Sequence, residues 1–168
     1  YTQYSNEFYA LPHTQQWKAK PEPKPRIYGP PVAIVVGPKN EELYTDEYGR
    51  VKIQFPWDRY GELNDSSSCW IRVAQGWAGS RYGGVVLPRV GHEVIVSFLE
   101  GDPDQPIITG RTYHATNRQP YALPALKTIA SLKSKEHKSS GYNELLLDDT
   151  TGELKTQLHT THGATQLT

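Results

Sequence analysis

Methionine is absent from this sequence, even at position 1, and cysteine occurs once, as Cys69. A lone cysteine can form no internal disulfide, so folding has to rest on packing. The missing methionine and an end at Thr168, inside an alternating pattern, predict a fragment of a longer polypeptide. Long apolar runs are lacking too. None approaches the ~20 residues a membrane-spanning helix requires, and no charged segment followed by an apolar one marks a secretory signal. Net charge is zero, with 18 Lys plus Arg against 18 Asp plus Glu. Such a chain has no global field to draw it onto nucleic acid or an anionic membrane. Between Val32 and Leu126 there are nine basic and eleven acidic side chains, a balance that weighs against phosphate binding.

What is present is proline, aromatic residues and short strand-like runs, in a length that suits one ordinary domain plus appendages. Residues 1–31 begin aromatic (Tyr1, Tyr4, Phe8, Tyr9) and turn Lys-Pro-rich from Lys20 to Pro25. Alternating proline fixes φ and removes amide donors, which predicts an extended linker closing a preceding domain. Six strands are expected: Val32–Val36, Val51–Phe55, Trp70–Ala74, Val85–Leu87, Glu93–Leu99 and Ile107–Tyr113. Val51 to Phe55 alternates with period two, the mark of a half-buried strand, whereas Val94 to Leu99 is more continuously apolar and reads as more deeply buried. Turn residues separate the runs at Asp46–Gly49, Tyr60–Asp65 and Gly101–Asp104. No helix is needed. Residues 32–118 therefore predict an all-β, five- or six-stranded Greek-key barrel, a shape that removes exposed sheet edges.

Residues 119–141 read as a connector, proline-marked at Gln119–Pro124 and Lys/Ser-rich from Lys127 to Gly141. Strand patterning then returns in residues 142–168, where Leu154, Thr156, Leu158 and Thr160 share one face and Glu153, Lys155, Gln157 and His159 the other. A strand with few partners in its own chain is marginal, since ordering costs ~1 to 2 kcal/mol per residue and a buried leucine returns ~1.5 to 3 kcal/mol. Copies of itself are the simplest partners. The alternative is an extra hairpin laid on the chain's own barrel.

Candidate chemistry has a structural reading beside each functional one. Asp102 and Asp104, with Glu100, could suggest a cation loop, but calcium takes six to eight oxygens and this segment contains proline, so a turn is expected. His159 and His162 lie three apart and on a strand would face opposite ways, so they cannot chelate one ion within a chain. His13, His92, His114 and His137 are dispersed. Cys69 beside Trp70 and Ile71 reads as a buried, inert thiol rather than a nucleophile. Tyr44, Tyr48, Trp57, Tyr60, Trp77 and Tyr82 could stack bases or sugars on a barrel, against which stands the region's slight acidity. No catalytic residue, cofactor or metal site is expected.

The run Tyr44-Thr45-Asp46-Glu47-Tyr48-Gly49-Arg50-Val51-Lys52-Ile53-Gln54-Phe55-Pro56-Trp57-Asp58-Arg59 resembles the VgrG family, the spike proteins of bacterial type VI secretion. The resemblance continues in order through Ser67–Gln75, Trp77–Gly79, Pro88–Val96, Phe98–Gly110, Tyr142–Leu145 and Asp148–Asp149. It implies an OB-type barrel, a linker and the start of a trimeric, intertwined β-helical needle, with the first 31 residues closing a hub-like domain. It further implies a structural spike that is secreted with the tube it caps. The family's spikes assemble in the bacterial cytoplasm, puncture a membrane transiently and deliver effectors outside or into target cells. The implied partners are two further copies of the chain, the Hcp tube, and a PAAR-repeat tip or effector, the latter two outside this segment. On this reading Leu145, Leu147, Leu154, Thr156, Leu158 and Thr160 form the trimer interface. The competing expectation is a monomeric OB module binding single-stranded nucleic acid or oligosaccharide.

Overall fold

The structure, a computed structural model, describes residues 3–162. The last six residues of the expected needle segment lie outside them. Ten strands follow in chain order: β1 (Val32–Val36), β2 (Lys52–Gln54), β3 (Arg72–Val73), β4 (Trp77–Gly79), β5 (Tyr82–Gly84), β6 (Glu93–Phe98), β7 (Pro106–Thr112), β8 (Ile129–Lys133), β9 (Asn143–Asp148) and β10 (Lys155–Thr160). The one helical element among the described residues is a 3-10 turn at Leu99–Gly101.

Five strands form one curled sheet in the order β2-β1-β6-β7-β3. All neighbours are antiparallel except β3 and β7, which run parallel. The two ends of this sheet meet. Val51 and Ile71 exchange both backbone hydrogen bonds, at 3.0 and 2.9 Å, and so join the start of β2 to the start of β3. Closure satisfies amides that an open edge would leave to solvent. Curvature has a visible cause in β7, where Ile95 opposes Gly110 but Val96 opposes Ile108, leaving Thr109 as an extra residue. Such a bulge bends a strand and increases its twist. It keeps Ile108 inside and turns Thr109 outward to Ser97, with the hydroxyls 3.0 Å apart.

The core is aliphatic: Ala33, Val35, Val51, Ile53, Ile71, Val94, Val96 and Ile108, with Phe55, Val73 and Phe98 against it. The alternation read from Val51 to Phe55 holds, and β6 is central, although it too alternates, with Val94 and Val96 inward. Gln54 is the buried polar exception, and its Oε1 accepts from Leu63 N–H at 2.7 Å and Ser67 hydroxyl at 2.9 Å. A buried amide oxygen with two donors anchors the loop after β2 at little cost.

Two expectations are corrected. Val85–Leu87 is not a strand, and Val85 is 74% exposed. The pairing there belongs to β4 and β5, a hairpin in which Gly83 has φ 133° and a Cβ would stand 2.4 Å from the Trp77 carbonyl oxygen. Only glycine fits that position. Val86 is held instead by side chains, its N–H donating to Gln75 Oε1 at 3.1 Å and its carbonyl accepting from Arg111. Cys69 is exposed rather than buried, because it lies in the loop before the strand pairing that begins at Ile71.

Ile53 lies fully inside the barrel. Ile53→Ala is expected to cost about 2 to 5 kcal/mol, measured as the shift in a urea unfolding curve. A loss below about 1 kcal/mol would show that this cluster does not hold the barrel together.

Candidate functional site

Beyond the barrel, β8, β9 and β10 form a separate antiparallel sheet in the order β10-β9-β8. Its outer strand β8 lies inside the segment expected to be connector, so the C-terminal strands have one more partner than the pattern predicts. In an antiparallel sheet, directly opposed residues share a face. The register places Leu132, Leu145 and Leu158 in one row across all three strands. Ala130, Leu147 and Thr156 form the next row on the same face. Asn143 opposes Thr160 at its end. Five of the six residues expected to meet other chains, Leu145, Leu147, Thr156, Leu158 and Thr160, therefore fall on one side of this sheet, and Leu154 immediately precedes β10.

That side is open. Leu132 is 69% exposed, Leu145 39%, Leu147 42% and Leu158 49%, and Leu154 before β10 is 79% exposed. The opposite side carries the charge and is covered at its middle strand. Glu144 and Leu146 are buried, and Glu144 accepts a 2.5 Å hydrogen bond from the Tyr121 hydroxyl, contributed by the segment between barrel and sheet. Lys133 stands 3.6 Å from Glu144, with its ammonium 3.8 Å from the centre of the Tyr142 ring and 5.5 Å from that of Tyr121. His159 lies on this side too, against Tyr142 at 5.1 Å. The hydrogen bond to Glu144, aided by burial, pushes the Tyr121 hydroxyl up to about 12. A carboxylate is thus buried beside Leu146, while Leu132, Leu145, Leu147 and Leu158 face outward. Sequence alternation identified the leucine side, but it missed β8 and Leu132, whose signal was hidden by the Lys/Ser-rich composition around them.

The remaining candidates resolve into structure. Asp102 closes its turn by accepting from Asp104 N–H at 3.0 Å and from the Gln105 amide at 3.2 Å, and it meets Lys24 at 2.7 Å. His162 stands 3.4 Å from Glu136. The aromatics occupy different loops: Trp57 stacks on Phe55, Tyr44 on Trp70, Trp77 meets Tyr82 edge-on, and Arg50 lies over Tyr48. Lys52 also covers Trp70. Tyr60, by contrast, is 96% exposed.

Residues 33–113 match the family described as the type VI secretion system/phage-baseplate injector OB domain. Residues 135–168 match the putative type VI secretion system Rhs element Vgr. The chain is similar to the actin cross-linking toxin VgrG1 of Vibrio cholerae, 58% identical over 158 residues. It is 59% identical over 158 residues to the type VI secretion system spike protein VgrG3 of V. cholerae, and 56% over 157 residues to the spike protein VgrG2a of Pseudomonas aeruginosa. Each alignment covers 94% of this chain but 14%, 16% and 19% of the respective relative. The chain thus spans less than a fifth of the length of these relatives.

The covered side generates a pH expectation. A phenol whose folded pKa is raised from 10 to about 12 contributes stability that is present below pH 10 and lost as pH rises through about 12. At pH 11 the ultraviolet difference between the native protein and Tyr121→Phe should contain no phenolate band, and Glu144→Gln should restore one. A phenolate signal from Tyr121 near pH 10 in the native protein would mean that the Glu144 contact is not made.

Proposed function

The chain belongs to the VgrG family of type VI secretion spike proteins, and from that premise we propose that it is a non-catalytic structural part of a homotrimeric spike. The observation that carries this reading is the open leucine face of β8, β9 and β10. Each leucine taken from water into an interface contributes about 1.5 to 3 kcal/mol, and a face with three strands of them exceeds what an isolated sheet needs to shed water. Three copies placed around an axis, each turning Leu132, Leu145, Leu147 and Leu158 inward, would bury these side chains together. Thr156, Thr160 and Leu154 would line the same seam, and residues 142–168 would form the beginning of an intertwined needle.

The mechanism is mechanical. Backbone amides satisfied in ladders and side chains buried along an axis resist bending when the tip is driven through a membrane. The barrels would form a collar above the needle, facing the Hcp tube, with a PAAR-repeat tip or effector at the far end. Secretion would accompany the tube, with delivery outside the cell or into a target. The matched part of the relative named an actin cross-linking toxin is 14% of that protein, and the relatives named spike proteins support the scaffold reading. A monomeric barrel binding single-stranded nucleic acid or oligosaccharide is the weaker reading, since its rings are dispersed over separate loops in a slightly acidic region.

Light scattering coupled to size exclusion tests the assembly. The protein should show the mass of three 18.9 kDa chains, and the pair Leu145→Asp with Leu158→Asp should return it to one while the barrel still unfolds cooperatively. Monomer mass at millimolar concentration, both for this chain and for a longer protein containing it, would overturn the proposal.

A further inference from the structure

No strand of the needle sheet packs extensively against a barrel strand among the described residues. Covalent continuity alone would leave their angle free, because the stretch from Tyr113 to Thr128 contains no strand or helix. A polar cluster centred on one carboxylate spans the gap. Glu42, in the barrel loop after β1, accepts from Lys135 Nζ at 3.0 Å and from the backbone N–H of Lys138 at 3.1 Å, both in the β8–β9 turn. On the barrel side it accepts from Arg89 Nη1 at 3.2 Å, and its own carbonyl accepts from Val90 N–H at 3.0 Å. Arg89 reaches across as well, its second nitrogen donating to the Lys135 carbonyl. Glu41 adds a 3.0 Å pair with Lys138 Nζ. Lys138 has φ 54°, a left-handed conformation seldom adopted by L residues outside glycine.

We propose that Glu42 is a positioning residue that locks the needle sheet to its barrel at a fixed angle, through a clamp completed by Arg89, Lys135 and Lys138. An isolated exposed ion pair contributes little. This one differs in kind. One carboxylate receives donors from three residues, two of them on the far unit, and the guanidinium that orients it also bonds that unit's backbone. Charge-assisted bonds of this sort are short and directional, and several closing one joint restrict rotation where a single pair would only limit separation. The same donors, the Lys135 ammonium first, hold the Glu42 carboxyl below its ordinary range, so the clamp is charged at neutral pH. In a spike, such a joint would transmit thrust from collar to needle. The clamp itself lies within one chain and does not require the trimer.

Spin-label distance measurement tests it. The exposed Cys69 supplies one site on the barrel, and Thr151→Cys supplies another at the β9–β10 turn. Dilution in excess unlabelled Cys69→Ser chain restricts the signal to distances within one molecule, so the outcome is independent of assembly. The native clamp should give a narrow distribution. Glu42→Ala, and separately Lys135→Ala with Lys138→Ala, should widen it at least twofold, while a barrel-internal pair between Cys69 and Thr109→Cys stays unchanged. Should Glu42→Ala also widen the barrel-internal pair, the lysine variant decides. Equal widths with and without the clamp, or a distribution already broad with Glu42 in place, would overturn the proposal.

Discussion

A three-stranded sheet has two faces, and the described residues of this chain shelter part of one and leave the other open. The sheltered face is the polar one, where Tyr121 folds over Glu144 and Lys133 lies between aromatic rings. Burying a carboxylate is costly without partners, so the hydroxyl and the ammonium specify which way the sheet faces as well as helping to hold it. Turning the sheet over would place Glu144 in the open and the leucines under Tyr121, with the hydroxyl of Tyr121 left unpaired. The leucine rows are therefore left outward by the same contacts that satisfy the charged side. An outward apolar face of this extent is the feature around which the spike reading is built.

The barrel follows an opposite logic, being complete within itself. Its eight buried aliphatic residues fill the interior, and the Val51–Ile71 bridge ties the two ends of the curled five-stranded sheet together at one point. Its aliphatic side chains are sheltered within the unit, in contrast to the leucines of the second sheet. The two units meet through loops, which makes the polar contacts of Glu42 more consequential than surface ion pairs ordinarily are. In the proposed spike, the barrel, the oriented sheet and its exposed apolar face would act in series to carry load.

The strands of the barrel were legible because their residues obey simple rules: period-two alternation in Val51–Phe55, an apolar run through Val94–Phe98, and turn residues between. Val85–Leu87 misled because β-branched residues favour strands only when a partner strand exists, and here Gly83 places the hairpin immediately before them. Cys69 misled because apolar neighbours do not say where strand pairing begins. The leucine side of β9 and β10 was readable from alternation. Leu132 was not, because a short strand among lysines and serines carries too weak a pattern.

Local pattern, then, was determined by the sequence alone: which residues alternate, where the chain turns, and that the C-terminal strands carry more apolar surface than a lone hairpin can shelter. Tertiary structure decided what pattern cannot express. Barrel closure, the bulge at Thr109, the burial of Glu144 beneath Tyr121 and the reach of Glu42 to Lys135 and Lys138 each join residues far apart in the chain. Alternation reports only a residue's side relative to its immediate neighbours, whereas the partner that covers that side is chosen by the path of the whole backbone.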